Sequence, residues 1–172
     1  MAKTPSAFSQ HLQRAGHFIV YAAFRVFEFV LKVLPLTLVA RVGSAVGMLA
    51  WMLGGSYRKL ALNNVRIAFG RELPENQLKV IVRRHFASLG ANLFCGLKLP
   101  LMGEQEVLKC VSVENAHIPA AIAAEGKPML YAVMHLSCWE LLTQIPSVVS
   151  MGRRPSSIYQ PLANPFLDAH VR

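Results

Sequence analysis

Acidic residues are scarce in this 172-residue chain: nine Asp and Glu stand against eighteen Lys and Arg, for a formal net charge of +9. The shortage is sharpest at the start, where residues 1–60 carry Lys3, Arg14, Arg25, Lys32, Arg41, Arg58 and Lys59 against the single acid Glu28. Cysteines number three (Cys95, Cys110, Cys138), an odd count without paired spacing, which argues against a disulfide framework and against a zinc knuckle. There is no internal repeat and no low-complexity tract. No compact apolar core followed by a small-residue cleavage site opens the chain, so a removable signal peptide is not expected.

What the chain does have is apolar mass. The hydrophobic fraction is 53%, the charged fraction only 16% and the mean hydropathy +0.38, which excludes a disordered chain and leans toward a membrane partner. The positive charge is interleaved with Phe, Val and Leu instead of being gathered into a solvated arm, so anionic lipid headgroups fit better than nucleic acid.

From Gln13 to Leu34 the polar residues Arg14, His17, Tyr21, Arg25, Glu28 and Lys32 recur every three or four positions. At ~100° per residue they share a stripe roughly 80° wide on an otherwise apolar helix. Such a helix suits the plane of a bilayer, the groove of a neighbouring helix, or a core with one exposed stripe. Pro35 ends it. Residues 36–53 (LTLVARVGSAVGMLAWML) then form a second apolar helix of roughly 27 Å, marginal for a span and equally suited to a hairpin on the membrane surface. Arg58 and Lys59 follow directly and favour a cytoplasmic location for what comes next.

Further helices are expected over 57–69, from Pro74 to about residue 97 with Leu78, Ile81, Val82, Phe86, Leu89 and Leu93 as its buried stripe, and over 104–110. The texture then changes. VSVE (111–114) alternates like a strand, HIPAAIAAEG (117–126) reads as a helix closed by Gly126, and PMLYAVM (128–134) reads as a buried strand. A helix over 138–145, a strand over 156–159 and a helix opened by Pro165 complete an alternating order. The expected fold class is therefore α/β: a hydrophobic, membrane-associated helical segment over 1–56, followed by an α/β sheet domain over 57–172.

The segment HLSCWE (135–140) follows the apolar run 129–134, the place where reactive groups gather beyond strand ends in open α/β sheets. His135 and Glu140 would lie about 140° apart on one continuous helix, so they converge only if the helix starts between them. Ser137 and Glu140 also satisfy a capping box, in which Glu140 is merely a cap and His135 a strand-end histidine. Both readings stand on the residues alone.

HLSCWELL, after GKPMLYAVMH, resembles the His-x4-Asp/Glu block of the glycerolipid acyltransferase superfamily, and more closely that of the lipid A biosynthesis late (lauroyl or myristoyl) acyltransferases. RKLALNNVRIAF, VENAHIPAAIAAEGK and the YQPLANPFLD block fall in the order of that family. The resemblance implies an O-acyltransferase in which His135 and Glu140 are catalytic and Ser137, Cys138, Tyr159 and Gln160 contact substrate. It implies an acyl carrier protein or acyl-CoA donor, a glycolipid acceptor in lipid A and lipopolysaccharide biosynthesis, and a place at the bacterial inner membrane, on its cytoplasmic face, peripheral or single-pass. No metal, cofactor or nucleic acid is implied. Two positions depart from the pattern: Gln160 stands where the family carries Arg, and Ser137-Cys138 where it commonly carries Gly-Asn. The family continues through further strands and helices, so the chain looks like an N-terminal portion, with an incomplete sheet; a membrane-associated fragment without catalysis is the alternative.

Overall fold

The computed structural model describes residues 7–134, 137–138, 141–142, 145, 156 and 159–171. They form seven α-helices: α1 (Ala7–Val33), α2 (Leu36–Leu53), α3 (Gly55–Phe69), α4 (Glu75–Lys98), α5 (Glu104–Leu108), α6 (His117–Ala124) and α7 (Pro165–Val171), with a 3-10 turn at Leu99–Leu101. The chain divides into two compact units, residues 1–33 with 155–172, and residues 34–154.

In the larger unit α2 and α4 are pressed together through glycine. A methyl group added at Gly47 would meet the Phe86 carbonyl oxygen at 2.0 Å, one at Gly43 the Gly90 oxygen at 2.5 Å, and one at Gly90 the Gly43 oxygen at 2.2 Å. Only glycine permits backbones to approach this closely, and Gly43 and Gly47, four residues apart, lie on one helix face. Pairing Gly43 with Gly90 and Gly47 with Phe86 runs the helices antiparallel. Val39 and Val82, 0% and 2% exposed, close the seam. Each is worth about 1.5–3 kcal/mol of apolar burial.

The glycine contact also sets the rotation of α4. Leu78, Val82 and Gly90 are buried and Phe86 is half-buried, all at four-residue spacing, whereas Leu89 and Leu93 are exposed. The sequence stripe correctly includes Leu78 and Val82 but wrongly adds Leu89 and Leu93, because the closest contact is made by a residue with no side chain. A second small core holds Leu99, Val107 and Ile145, with Met102, Leu108, Val111, Cys138 and Leu141 against it.

The smaller unit is α1 with α7. Asn164 caps α7, its Oδ1 accepting from the Phe166 and Leu167 amides at 3.0 and 3.3 Å, and Pro165 occupies the first helical position, where its missing N–H costs nothing. The helix docks on the polar stripe of α1. Tyr21 stacks on Phe166 at 6.1 Å, and Asn164 Nδ2 donates to the His17 carbonyl at 2.9 Å. Leu12, Ile19, Val26, Phe29 and Val33 on α1 are each about two-thirds exposed. Amphipathy is thus inverted where α7 docks: His17, Tyr21 and Glu28 are half-buried toward the partner helix and the apolar arc faces outward.

The α/β expectation is overturned. Among the described residues there is no strand and no sheet. Residues 111–113 and 127–134 are irregular; Leu130 and Met134, expected in a buried strand, are 97% and 77% exposed. Of the strand expected over 156–159, residues 157 and 158 lie outside the described residues, and 156 and 159 are irregular. A buried parallel strand requires partners on both edges for its backbone N–H and C=O groups. An apolar run supplies only the side chains, and no ladder partner lies beside 128–134 among the described residues.

Candidate functional site

Of the block 135–140, His135 and Glu140 lie outside the described residues, while Ser137 and Cys138 lie within them. Ser137 is exposed and has φ +56°, in the left-handed region that costs a side-chain-bearing residue about 1–2 kcal/mol. By the resemblance this is a position that commonly carries Gly, the residue that adopts the conformation freely. Cys138 turns the other way. Its half-buried sulfur points toward the Asn92 carbonyl at 3.9 Å, a long and weak contact, and its side chain packs on the Leu99, Val107 and Ile145 core. Cys138 therefore anchors this turn to the end of α4, and Ser137 faces solvent beside it.

Partial burial pushes the half-buried Cys95 thiol above its ordinary range, which disfavours the nucleophilic thiolate there.

Tyr159 and Gln160 belong to the smaller unit and are both exposed. What fixes them is a carboxylate that the sequence reading passed over. Asp168 on α7, 8% exposed, accepts from the Leu162 amide at 2.8 Å and ties the segment 159–162 back onto the helix. A carboxylate accepting a backbone N–H is a strong, charge-assisted bond. The available signal was the six-residue span from Leu162 to Asp168 across an Asn-Pro helix start.

The same unit holds a cleft of about 890 Å³, lined by Gln13, Arg14, His17 and Tyr21 from α1 and by Phe166 and His170 from α7. His170 in its lining belongs to a three-membered polar network. His170 Nε2 lies 2.9 Å from Glu28 Oε1, its Nδ1 lies 3.0 Å from Arg25 Nη1, and Arg25 Nε lies 3.1 Å from Glu28 Oε2. Arginine has only donors, so Nδ1 accepts and the Nε2 proton goes to the carboxylate. The stripe on α1 was legible in the sequence, but its partner His170, 142 residues beyond Glu28, was not.

Residues 5–171 match the family of bacterial lipid A biosynthesis acyltransferases. The chain belongs to that family. It is an acyltransferase of lipid A biosynthesis, and the match covers both the HLSCWE block and the YQPLANPFLD block. No curated protein and no solved structure matches this acyltransferase significantly. Within the acyltransferase, Ser137-Cys138 lies in the larger unit and Tyr159-Gln160 in the smaller one.

Proposed function

We propose that this acyltransferase moves a fatty acyl group from the thioester of an acyl carrier protein, or of acyl-CoA, to a hydroxyl of a lipid A precursor, with His135 as general base oriented by Glu140. The observation that carries the reading is the family match over residues 5–171, which contains the His-x4-Glu block. A hydroxyl is a poor nucleophile at neutral pH, and an imidazole titrating near neutrality is suited to accept its proton as attack begins. The oxygen attacks the thioester carbonyl, the C–S bond breaks, and the proton passes to the departing thiolate. The products are the ester and the free thiol, with no acyl-enzyme between them.

The backbone at Ser137 supports a His–Glu pairing. A residue at φ +56° does not continue a right-handed helix, so Ser137 itself supplies the helix break between His135 and Glu140 that such a pairing requires. Exposed Ser137 would meet substrate directly, while Cys138 would shape the site from the core side. Tyr159 and Gln160 would contact the acceptor, with Gln160 offering hydrogen bonds where the family's arginine offers charge.

The work is proposed to take place at the cytoplasmic face of the inner membrane. The outward apolar arc of α1 supports this, as does α2, which among the described residues is the one helix long and apolar enough to cross a bilayer. The test is acyl transfer by the purified chain in neutral detergent, with an acyl carrier protein thioester and a lipid A precursor. His135→Ala should lower turnover about 10²–10⁴-fold with the acceptor still bound. Unchanged turnover in that variant would remove His135 as the base.

A further inference from the structure

At the C-terminal turn of α2 the larger unit gathers four cations around one indole. Arg58 donates from Nη1 to the Trp51 carbonyl at 3.0 Å and holds its guanidinium 5.3 Å from the Trp51 ring, while the guanidinium of Arg83 on α4 sits 6.0 Å from the same ring. Between these elements lies a niche of about 220 Å³, lined by Trp51, Leu62 and Val82 as its apolar floor and by Arg58, Lys59 and Lys79 as its charged rim. Among the described residues no carboxylate forms an ion pair with Arg58, Lys59, Lys79 or Arg83. Glu75, one turn from Lys79, feels that cation but is hydrogen-bonded to Arg66, so the four cations keep a surplus of positive charge that an anion would relieve.

The surroundings say which anion. The antiparallel pair α2 and α4 exposes Leu38, Val46, Leu49 and Leu53 on one helix and Leu89 and Leu93 on the other, so apolar surface runs along the pair up to and past its charged end. The niche sits at that charged end, where Trp51 faces Val82 and Arg83. An exposed apolar helix face beside a tryptophan and a collar of Lys and Arg suits the interfacial zone of a bilayer leaflet, with hydrocarbon along the apolar face and phosphate at the indole level.

We propose that this niche binds the phosphate of an anionic membrane phospholipid and sets the depth at which α2 and α4 enter the leaflet. The rim cations meet the phosphate oxygens and the Trp51 floor meets the first carbons of the lipid. No residue of the niche belongs to the His135 block and lipid binding needs no acyl transfer, so its failure leaves the catalytic reading standing.

The test uses the whole chain as a Trp139→Phe variant, which leaves Trp51 as the one remaining tryptophan of two. Binding is measured against phosphatidylcholine vesicles and against vesicles doped with phosphatidylglycerol, each also prepared with lipids brominated near the headgroup. Phosphatidylglycerol should strengthen binding and allow the bromines to quench Trp51. Lys59→Gln with Lys79→Gln should weaken that binding about 25-fold, taking roughly one kcal/mol per cation near an anionic surface, and Lys→Arg at both positions should restore it. The helical content of each variant, read by circular dichroism, shows that the fold is kept. Equal binding by the Gln pair, an unquenched Trp51 on bound protein, displacement by inorganic phosphate, or protection of Lys59 and Lys79 by acyl carrier protein in place of vesicles would each overturn the proposal.

Discussion

Replacing Gly47 with alanine adds one methyl group at the tightest point of the molecule. That carbon would lie 2.0 Å from the Phe86 carbonyl oxygen, and ordinary contact begins at 3.4 Å, so the helices must part locally by about 1.4 Å. The obstacle is backbone and cannot rotate away. Overpacking of this kind costs about 1–3 kcal/mol, and separation also loosens Val39 and Val82 from the seam. Alanine returns up to about 1 kcal/mol in helix propensity, which leaves a net loss of about 2 kcal/mol. For a chain of this length that corresponds to a fall in melting temperature of about 4–8 °C. Gly16 in α1 provides the matched control, because a methyl there has nothing within 4 Å. Gly16→Ala should raise stability by up to about 1 kcal/mol through the same propensity. Thermal unfolding of both variants in neutral detergent reads the comparison. If Gly47→Ala is as stable as Gly16→Ala, the backbone contact between α2 and α4 is refuted.

Ser137→Gly should stabilise the chain by about 0.5–1 kcal/mol in denaturant titration, since glycine removes the left-handed penalty but costs some chain entropy. Asn164→Ala should cost about 1–2 kcal/mol by the same measurement, through loss of the α7 cap and of the bond to the His17 carbonyl. The Arg66 guanidinium, donating from Nε at 3.0 Å, holds the Glu75 carboxyl below its ordinary range. A depressed carboxyl stabilises the fold above its unfolded value and loses that contribution as pH falls through the folded one. The stability gap between wild type and Glu75→Gln should therefore be largest at neutral pH and close in acid, as read by unfolding curves across pH.

Helices were legible because a helix is written locally. The 3.6-residue period, Pro35 after α1, Gly54-Gly55 after α2, Pro74 before α4 and Asn164-Pro165 before α7 place boundaries without reference to the rest of the chain. The strands failed for the complementary reason. PMLYAVM has a strand's composition, yet a strand is a statement about neighbours, and no neighbour is encoded within those seven residues. Leu89 and Leu93 went wrong because hydrophobic periodicity is blind to glycine, although Gly43 and Gly47 carried the signal of a close helix contact. At the site, the two blocks in family order carry a resemblance, and the match over residues 5–171 shows the family. Ser137's backbone is intelligible afterwards as the conformation a glycine would favour, while the tether from Asp168 to Leu162 depends on a turn that spacing alone does not specify.

The reversed amphipathy of α1 has a practical outcome at the bench. A soluble helix hides its greasy side and offers water its charges, but here Arg25, Glu28 and His170 satisfy one another while Leu12, Ile19, Phe29 and Val33 are left to the medium. Stripped of lipid, that arc should seek a second copy of itself or an aggregate, so extraction yield ought to follow the surfactant supplied more closely than the salt or the pH.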